Sequence, residues 1–165
     1  LYWNGDGANL PGKMAKQYLR GLCQANKLAA GGFDLAGHHL MLEEVDVPLC
    51  SVACETDHIA AWKDCYRGVQ QMGSKDKTFI MTQSGHIAGI VNPPSKKKYG
   101  HYTNTDLSLD HEAWLEGAAF HDGSWWPRWE AWLKKRSGKQ VPARQPGDSS
   151  HPVLCDAPGT YVFQE

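Results

Sequence analysis

The chain has 165 residues, of which 41% are hydrophobic, so it can bury one modest core. Its 17 basic and 18 acidic residues nearly cancel, which argues against a nucleic-acid partner and against a membrane surface bound by charge. No apolar run approaches the roughly 18 residues of a transmembrane helix. The odd number of cysteines, five, and the absence of a C-x-x-C pair favour reduced thiols in a cytoplasmic protein.

The first predicted elements are a loop and a helix. The chain begins without an initiator methionine, and we expect it to be part of a longer protein. After a Gly- and Asn-rich loop over residues 1–12, a helix is predicted over residues 13–26. Met14, Tyr18 and Leu22 recur there at helical spacing and lie on one face.

A strand, a helix and a second strand follow. The nearly continuous apolar run over residues 47–54 is typical of a strand buried on both faces of a parallel sheet. Apolar residues recur every three or four positions over residues 61–72, which predicts a helix. Residues 77–82 are predicted to form the second strand. Such a βαβ unit places its two strands side by side and parallel.

Two residues with catalytic potential come directly after these strands. Asp57 follows the first strand and His86 the second, so both are expected at the carboxyl edge of the sheet, where open α/β sheets place their sites. In α/β-hydrolases the catalytic residues come in the order nucleophile, acid, histidine, and this pair fits the last two places. Alternatively, Asp57 caps the following helix and His86 is a buried histidine bonded to backbone.

The sequence contains no nucleophile motif, since neither G-x-S-x-G nor G-x-C-x-G occurs. Cys54 and Cys65 are interpreted as buried strand and helix residues. A zinc site is the other candidate, because His38 and His39 are adjacent and Glu43 is near. Neither H-E-x-x-H nor a Cys/His ligand spacing is present, so we predict no metal.

The remaining chain is predicted to be helical and then irregular. Residues 96–98, three lysines, are interpreted as a solvated turn after two prolines. Helices are predicted over residues 111–120 and 125–135. The second carries four tryptophans at helical spacing, which favours packing over ligand binding. Residues 137–158 are rich in Pro, Gly and Ser, which predicts an extended tail.

Several motifs, in order along nearly the whole chain, resemble the polyhydroxyalkanoate synthases, which polymerise 3-hydroxyacyl-CoA into storage polyester. They are Trp3-Asn4-Gly5-Asp6, Asn9-Leu10-Pro11, Val45-Asp46-Val47-Pro48, Thr56-Asp57-His58-Ile59 with Trp62, Ser84-Gly85-His86-Ile87-Ala88-Gly89, Val91-Asn92-Pro93-Pro94, Gly123-Ser124-Trp125-Trp126-Pro127 with Trp129 and Trp132, and Pro158-Gly159 with Tyr161-Val162. The chain departs from the family pattern at Ala8, Glu55-Thr56 and Ala60-Ala61.

The resemblance implies that Asp57 is the catalytic aspartate, that His86 is the catalytic histidine, and that the cysteine nucleophile lies upstream of this chain. It implies an α/β fold, the C-terminal part of an α/β-hydrolase, with a parallel sheet, flanking helices and its front strands missing. Residues 1–40 would belong to a cap or lid, residues 41–136 to the catalytic core and residues 137–165 to an extended C-terminal tail.

The resemblance also implies the reaction and the partners. The enzyme would be an acyltransferase of the class I type that uses short-chain monomers, acting on a coenzyme A thioester and a growing polyester chain without a cofactor. It would form a homodimer in the cytoplasm, associated with polyester granules. Without the cysteine, this chain alone is predicted to be inactive.

Two alternatives are open at this point. An esterase or depolymerase of the same fold would share the acid and the histidine but use a serine. A non-catalytic module that binds granules or a partner would explain the Trp-rich helix and the missing nucleophile.

Overall fold

The fold is α/β, built on a four-stranded mixed sheet in the computed structural model, which describes residues 7–163. The motif Trp3-Asn4-Gly5-Asp6 lies outside the described residues. The strands are β1 Phe33–Leu35, β2 His38–Leu40, β3 Leu49–Cys54, β4 Lys77–Thr82, β5 His101–Thr103 and β6 Ala119–His121. The helices are α1 Gly12–Tyr18, which continues as a π-helical segment Leu19–Gln24, α2 Trp62–Gln71, α3 His111–Glu116 and α4 Trp126–Lys134.

The βαβ unit has the predicted form. β3 and β4 are parallel over six residue pairs, from Leu49 opposite Lys77 to Cys54 opposite Thr82, and α2 is the connection between them. The parallel pair predicted from sequence is therefore confirmed. It fixes the ends of both strands at one edge of the sheet.

The expectation that the whole sheet is parallel is wrong. β5 pairs with β4 and β6 with β5, and both pairings are antiparallel. A parallel connection needs a crossover of a dozen or more residues, usually a helix. Between β4 and β5 the chain forms turns and the short 3-10 helix Pro94–Lys96 rather than a crossover helix, and β5 returns antiparallel to β4.

The main core lies between one face of the sheet and the helices α2 and α3. Tyr66, Phe79 and Trp114 are fully buried, and their rings pack within 5.1 to 5.5 Å of one another. The Tyr66 hydroxyl donates to the carbonyl of Leu109 at 2.9 Å, so its polar group is also satisfied. The packing of these rings holds α2 against the sheet and thereby fixes the turn that precedes α2.

Three other predictions are corrected. β3 is not buried on both faces along its length: only Ala53 and Cys54 are buried, because β3 is an edge strand among the described residues. The helix predicted over 111–120 ends at Glu116, and Phe120 lies in β6, paired with β5. The helix predicted over 13–26 becomes π-helical after Tyr18.

The end of the chain agrees with expectation. Helix α4 is found where a helix was predicted over residues 125–135. Residues 137–158 form no helix or strand and are exposed to solvent. The predicted solvated turn at residues 96–98 is likewise exposed.

Candidate active site

Two turns at the carboxyl edge of the βαβ unit form the candidate site. The turn after β3 and the turn after β4 are bonded to each other, since the amide of Glu55 donates to the carbonyl of Thr82 at 2.8 Å and that of Thr56 to the carbonyl of Ser84 at 3.1 Å. The parallel pairing of β3 and β4 is thus extended past the ends of both strands. This brings Asp57 and His86 together.

Asp57 uses its two carboxylate oxygens for different partners. Oδ1 accepts hydrogen bonds from the backbone amides of Ile59 at 2.9 Å and Ala60 at 3.0 Å, which closes a tight turn. Oδ2 lies 2.8 Å from Nδ1 of His86, and the Asp57 side chain is only 6% exposed. Helix α2 begins after Ala61 without a side-chain cap, so the capping interpretation of Asp57 is wrong.

These contacts keep the carboxylate ionised. The backbone amide of Ala60, together with the His86 ring and the amide of Ile59, lowers the pKa of Asp57 from 3.8 to about 2, while burial opposes the shift. Donors that bond to the charged form stabilise it. Asp57 is therefore a fixed negative charge facing His86 at neutral pH.

His86 is positioned by this carboxylate and is open on its other side. An ionised carboxylate can only accept, so Nδ1 donates its proton to Asp57 and the lone pair of neutral imidazole is on Nε2. The side chain is 45% exposed, and no residue among 7–163 bonds to Nε2. The alternative of a buried histidine satisfied by backbone does not describe it. The ring can accept a proton at Nε2 while Asp57 stabilises the imidazolium.

The turn that carries His86 is bonded to the sheet and to α4. The carbonyl of Gly89 accepts from Thr82 Oγ1 at 3.3 Å and from Trp125 Nε1 at 3.1 Å. The carbonyl of Ile90 accepts from Trp126 Nε1 at 2.9 Å. Sequence reasoning treated these tryptophans as packing residues, and no spacing pattern predicts a bond across 36 residues. Only their place in a family motif distinguished them.

Two cysteines lie near the pair but are poor nucleophiles. Burial raises the pKa of the Cys54 and Cys65 thiols, and the charge of Asp57 raises both further. A raised pKa disfavours the thiolate, which is the reactive form. Cys54 is buried at the end of β3, as predicted, whereas Cys65 lies within α2, as predicted, but is only partly buried.

The residues considered as zinc ligands in the sequence do not form a metal site in the described part of the chain. Within residues 7–163, no three His, Cys, Asp or Glu side chains gather to hold a metal ion. His39 instead lies 2.7 Å from Asp34 Oδ1, across the β1–β2 hairpin. In the same part of the chain, no helix combines the length and the apolar character needed to cross a membrane.

The chain is similar to curated bacterial proteins, although no protein-family model matches it. It is 38% identical to the poly(3-hydroxyalkanoate) polymerase subunit PhaC of Rhizobium etli over 99% of this chain and 26% of that protein. The corresponding subunit of Cupriavidus necator is 39% identical over 98% of the chain and 28% of its own length. The poly(3-hydroxyalkanoate) polymerase of Methylorubrum extorquens is 41% identical over 98% and 27%. The chain thus spans about a quarter of the length of these relatives.

Proposed function

We propose that this chain, a homologue of the poly(3-hydroxyalkanoate) polymerases, supplies the acid and the base of a polymerase's acyl-transfer site. The observation that carries the proposal is the bond of 2.8 Å between Asp57 and His86, with Nε2 of His86 left open. The relatives are poly(3-hydroxyalkanoate) polymerase subunits, which favours a polymerase over an esterase, a depolymerase or a non-catalytic module.

The proposed reaction is covalent acyl transfer from a 3-hydroxyacyl-CoA. His86 Nε2 takes the proton of a cysteine thiol located upstream of this chain, and the thiolate attacks the thioester carbonyl. The tetrahedral intermediate expels CoA, which takes the proton back from His86 and leaves as a thiol. The 3-hydroxyl of another acyl unit then loses its proton to His86 and attacks the acyl group. The new ester lengthens the polyester by one unit, and the cysteine leaves as a thiolate that takes the proton back from His86, which restores the starting thiol and the neutral imidazole.

Asp57 is proposed to orient His86 rather than to accept the hydroxyl proton itself. Its Oδ1 is bonded to two backbone amides and its Oδ2 to His86. Its pKa of about 2 makes it a weak base at neutral pH. Both features support a fixed charge that holds Nδ1–H and stabilises the imidazolium.

The larger setting is also a proposal. The parallel βαβ unit with a histidine and an aspartate on its turns supports an α/β-hydrolase fold of which this chain is the C-terminal part. Residues 1–40 as cap, 41–136 as core and 137–165 as tail, the homodimer, the preference for short monomers and the granule association stay predictions. The proposed reaction requires no cofactor.

The test is CoA release from 3-hydroxybutyryl-CoA by the full-length protein that contains this segment. His86→Ala is expected to abolish release, because the cysteine then has no base. His151→Ala is the matched control, since His151 lies in the exposed tail. Release that is equal in the two variants would overturn the proposal.

A further inference from the structure

Two adjacent indole groups attach the turn that carries His86 to the start of α4, and we propose that Trp125 and Trp126 are positioning residues for His86. Trp125 Nε1 donates to the carbonyl of Gly89 at 3.1 Å, and Trp126 Nε1 donates to the next carbonyl, Ile90, at 2.9 Å. This inference rests on the proposed function, since positioning matters to catalysis only if His86 is the base.

The Gly89 carbonyl is bonded from two sides. Thr82, fully buried at the end of β4, donates through Oγ1 at 3.3 Å, and Trp125, only 8% exposed, donates from the side of α4. A buried carbonyl that loses a donor is destabilised. The turn therefore favours the one position in which both donors reach this oxygen.

The turn has no room to adjust around Gly89. A Cβ at that position would lie 2.6 Å from the carbonyl oxygen of Gln83, 2.8 Å from Cys54 Sγ and 3.0 Å from Thr82 Cγ2. The backbone is thus packed directly on the ends of β3 and β4. The indole groups of Trp125 and Trp126 bond to this backbone from the side of α4.

A bond made at residues 89 and 90 can act on His86 because the intervening backbone is a compact turn. The amide of Gly89 donates to the carbonyl of Gly85 at 3.1 Å, and that of Val91 donates to Ile87 at 2.8 Å. A hydrogen-bonded turn moves as one unit, so a displacement of the Ile90 carbonyl displaces His86 relative to Asp57. Displacements of about 1 Å at a reacting group can cost roughly a hundredfold in rate.

Trp126 offers a clean variant and Trp129 a matched control. The Trp126 side chain is 37% exposed, so Trp126→Phe removes the indole donor and leaves most of the packing. Trp129 lies on the same helix and is 41% exposed. Within residues 7–163 its indole nitrogen makes no hydrogen bond, and its ring packs 5.9 Å from that of Trp125, a contact that the phenyl ring of Phe can keep, so Trp129→Phe is the same chemical change without the lost donor.

The first measurement is the steady-state rate of CoA release from 3-hydroxybutyryl-CoA by the full-length protein, divided by the burst of CoA that counts active sites. Trp126→Phe is expected to lower kcat about tenfold at unchanged KM. Trp125→Phe is expected to lower kcat further, because the Gly89 carbonyl that loses its indole donor is buried. Trp129→Phe is expected to keep the native kcat. A purely structural role would lower the burst and leave the rate per active site unchanged, which would overturn the inference.

The second measurement, amide hydrogen exchange, does not depend on activity. Trp126→Phe is expected to speed exchange at the amides of Gly89 and Val91 but not at Ile80 in β4, whereas Trp129→Phe is expected to change none of them. Equal behaviour of Trp126→Phe and Trp129→Phe in both measurements would overturn the inference. His86→Ala, measured in parallel, distinguishes failure of the proposed function from failure of this inference. Native activity in His86→Ala would refute the proposed function. Loss of activity in His86→Ala together with native activity in Trp126→Phe would refute only the positioning role.

Discussion

The two oxygens of Asp57 separate its structural bonds from its bond to His86. In Asp57→Asn the amide oxygen can keep the bonds to Ile59 and Ala60, but the amide nitrogen can only donate towards His86. The imidazole then carries its proton on Nε2, where it cannot act as a base. We expect CoA release by the full-length protein to fall by roughly a hundredfold or more, with a thermal midpoint near the native one.

Asp57→Ala is the companion variant for this prediction. It loses the turn as well as the bond to His86, so both the activity and the thermal midpoint are expected to fall. Native activity in Asp57→Asn would contradict the orienting role of Asp57.

The lowered pKa of Asp57 predicts how the site responds to acid. The folded pKa of about 2 lies below the ordinary 3.8, so the carboxylate's stabilising contribution is fully present above 3.8 and is lost as pH falls through about 2. At about pH 3 Asp57 is expected to be mostly ionised, while an aspartate in an unstructured peptide is mostly protonated. The carboxyl ¹³C chemical shift measures this ionisation. A midpoint at or above 3.8 would mean that the bonds to Ala60 and His86 do not stabilise the charge.

The turn after β4 depends on a glycine that lies against the ends of both strands. Gly89→Ala would place a Cβ within 3.0 Å of Gln83, Cys54 and Thr82, so the turn must move. We expect a loss of about 1–3 kcal/mol in the free energy of unfolding, together with reduced CoA release. Urea unfolding and the release assay measure the two effects.

Gly68→Ala is the control for Gly89→Ala. Gly68 lies inside α2, and nothing lies within 4 Å of the Cβ that would be added. Alanine there is expected to stabilise the helix by about 0.5–1 kcal/mol. If the two variants lost the same stability, the contacts of Gly89 would not be the cause.

The elements that sequence reasoning predicted are those with strong local signals. α2 spans ten residues and has one apolar face, on which Trp62, Tyr66 and Val69 are buried, and β4 is a run of mainly β-branched and apolar residues. β5 and β6 were not predicted, because each has three residues and exists through pairing with a neighbour. Three residues are too few for a periodicity to show.

The site could be predicted in part for the same reason. The two strand ends place Asp57 and His86 at one edge, and the structure brings them within 2.8 Å. The bonds from Trp125 and Trp126 to the turn of His86 could not be predicted, since they depend on how α4 packs after the chain has folded. Their assignment to catalysis stays a prediction, as does that of the pair.

The sheet as described has an unpaired edge along β3. β3 pairs only with β4 among the described residues, and its first four residues are partly exposed. Edge strands with free backbone groups pair readily with other chains. The isolated 165-residue chain is therefore expected to self-associate, with an apparent mass in sedimentation that rises with concentration under reducing conditions. A monomer at all concentrations would show that the unpaired edge of β3 does not pair with other chains.

The central claim about the whole molecule is that Asp57 and His86 act as one acid–base pair, so that the contribution of Asp57 to catalysis depends on His86. A double-variant cycle on the full-length protein tests this, with kcat/KM for CoA release measured in Asp57→Asn, His86→Ala and the combined variant. Because Asp57 is proposed to act only through His86, the combined variant is expected to be no slower than His86→Ala alone. Losses that multiply, or native activity in His86→Ala, would contradict an acid–base pair at this site.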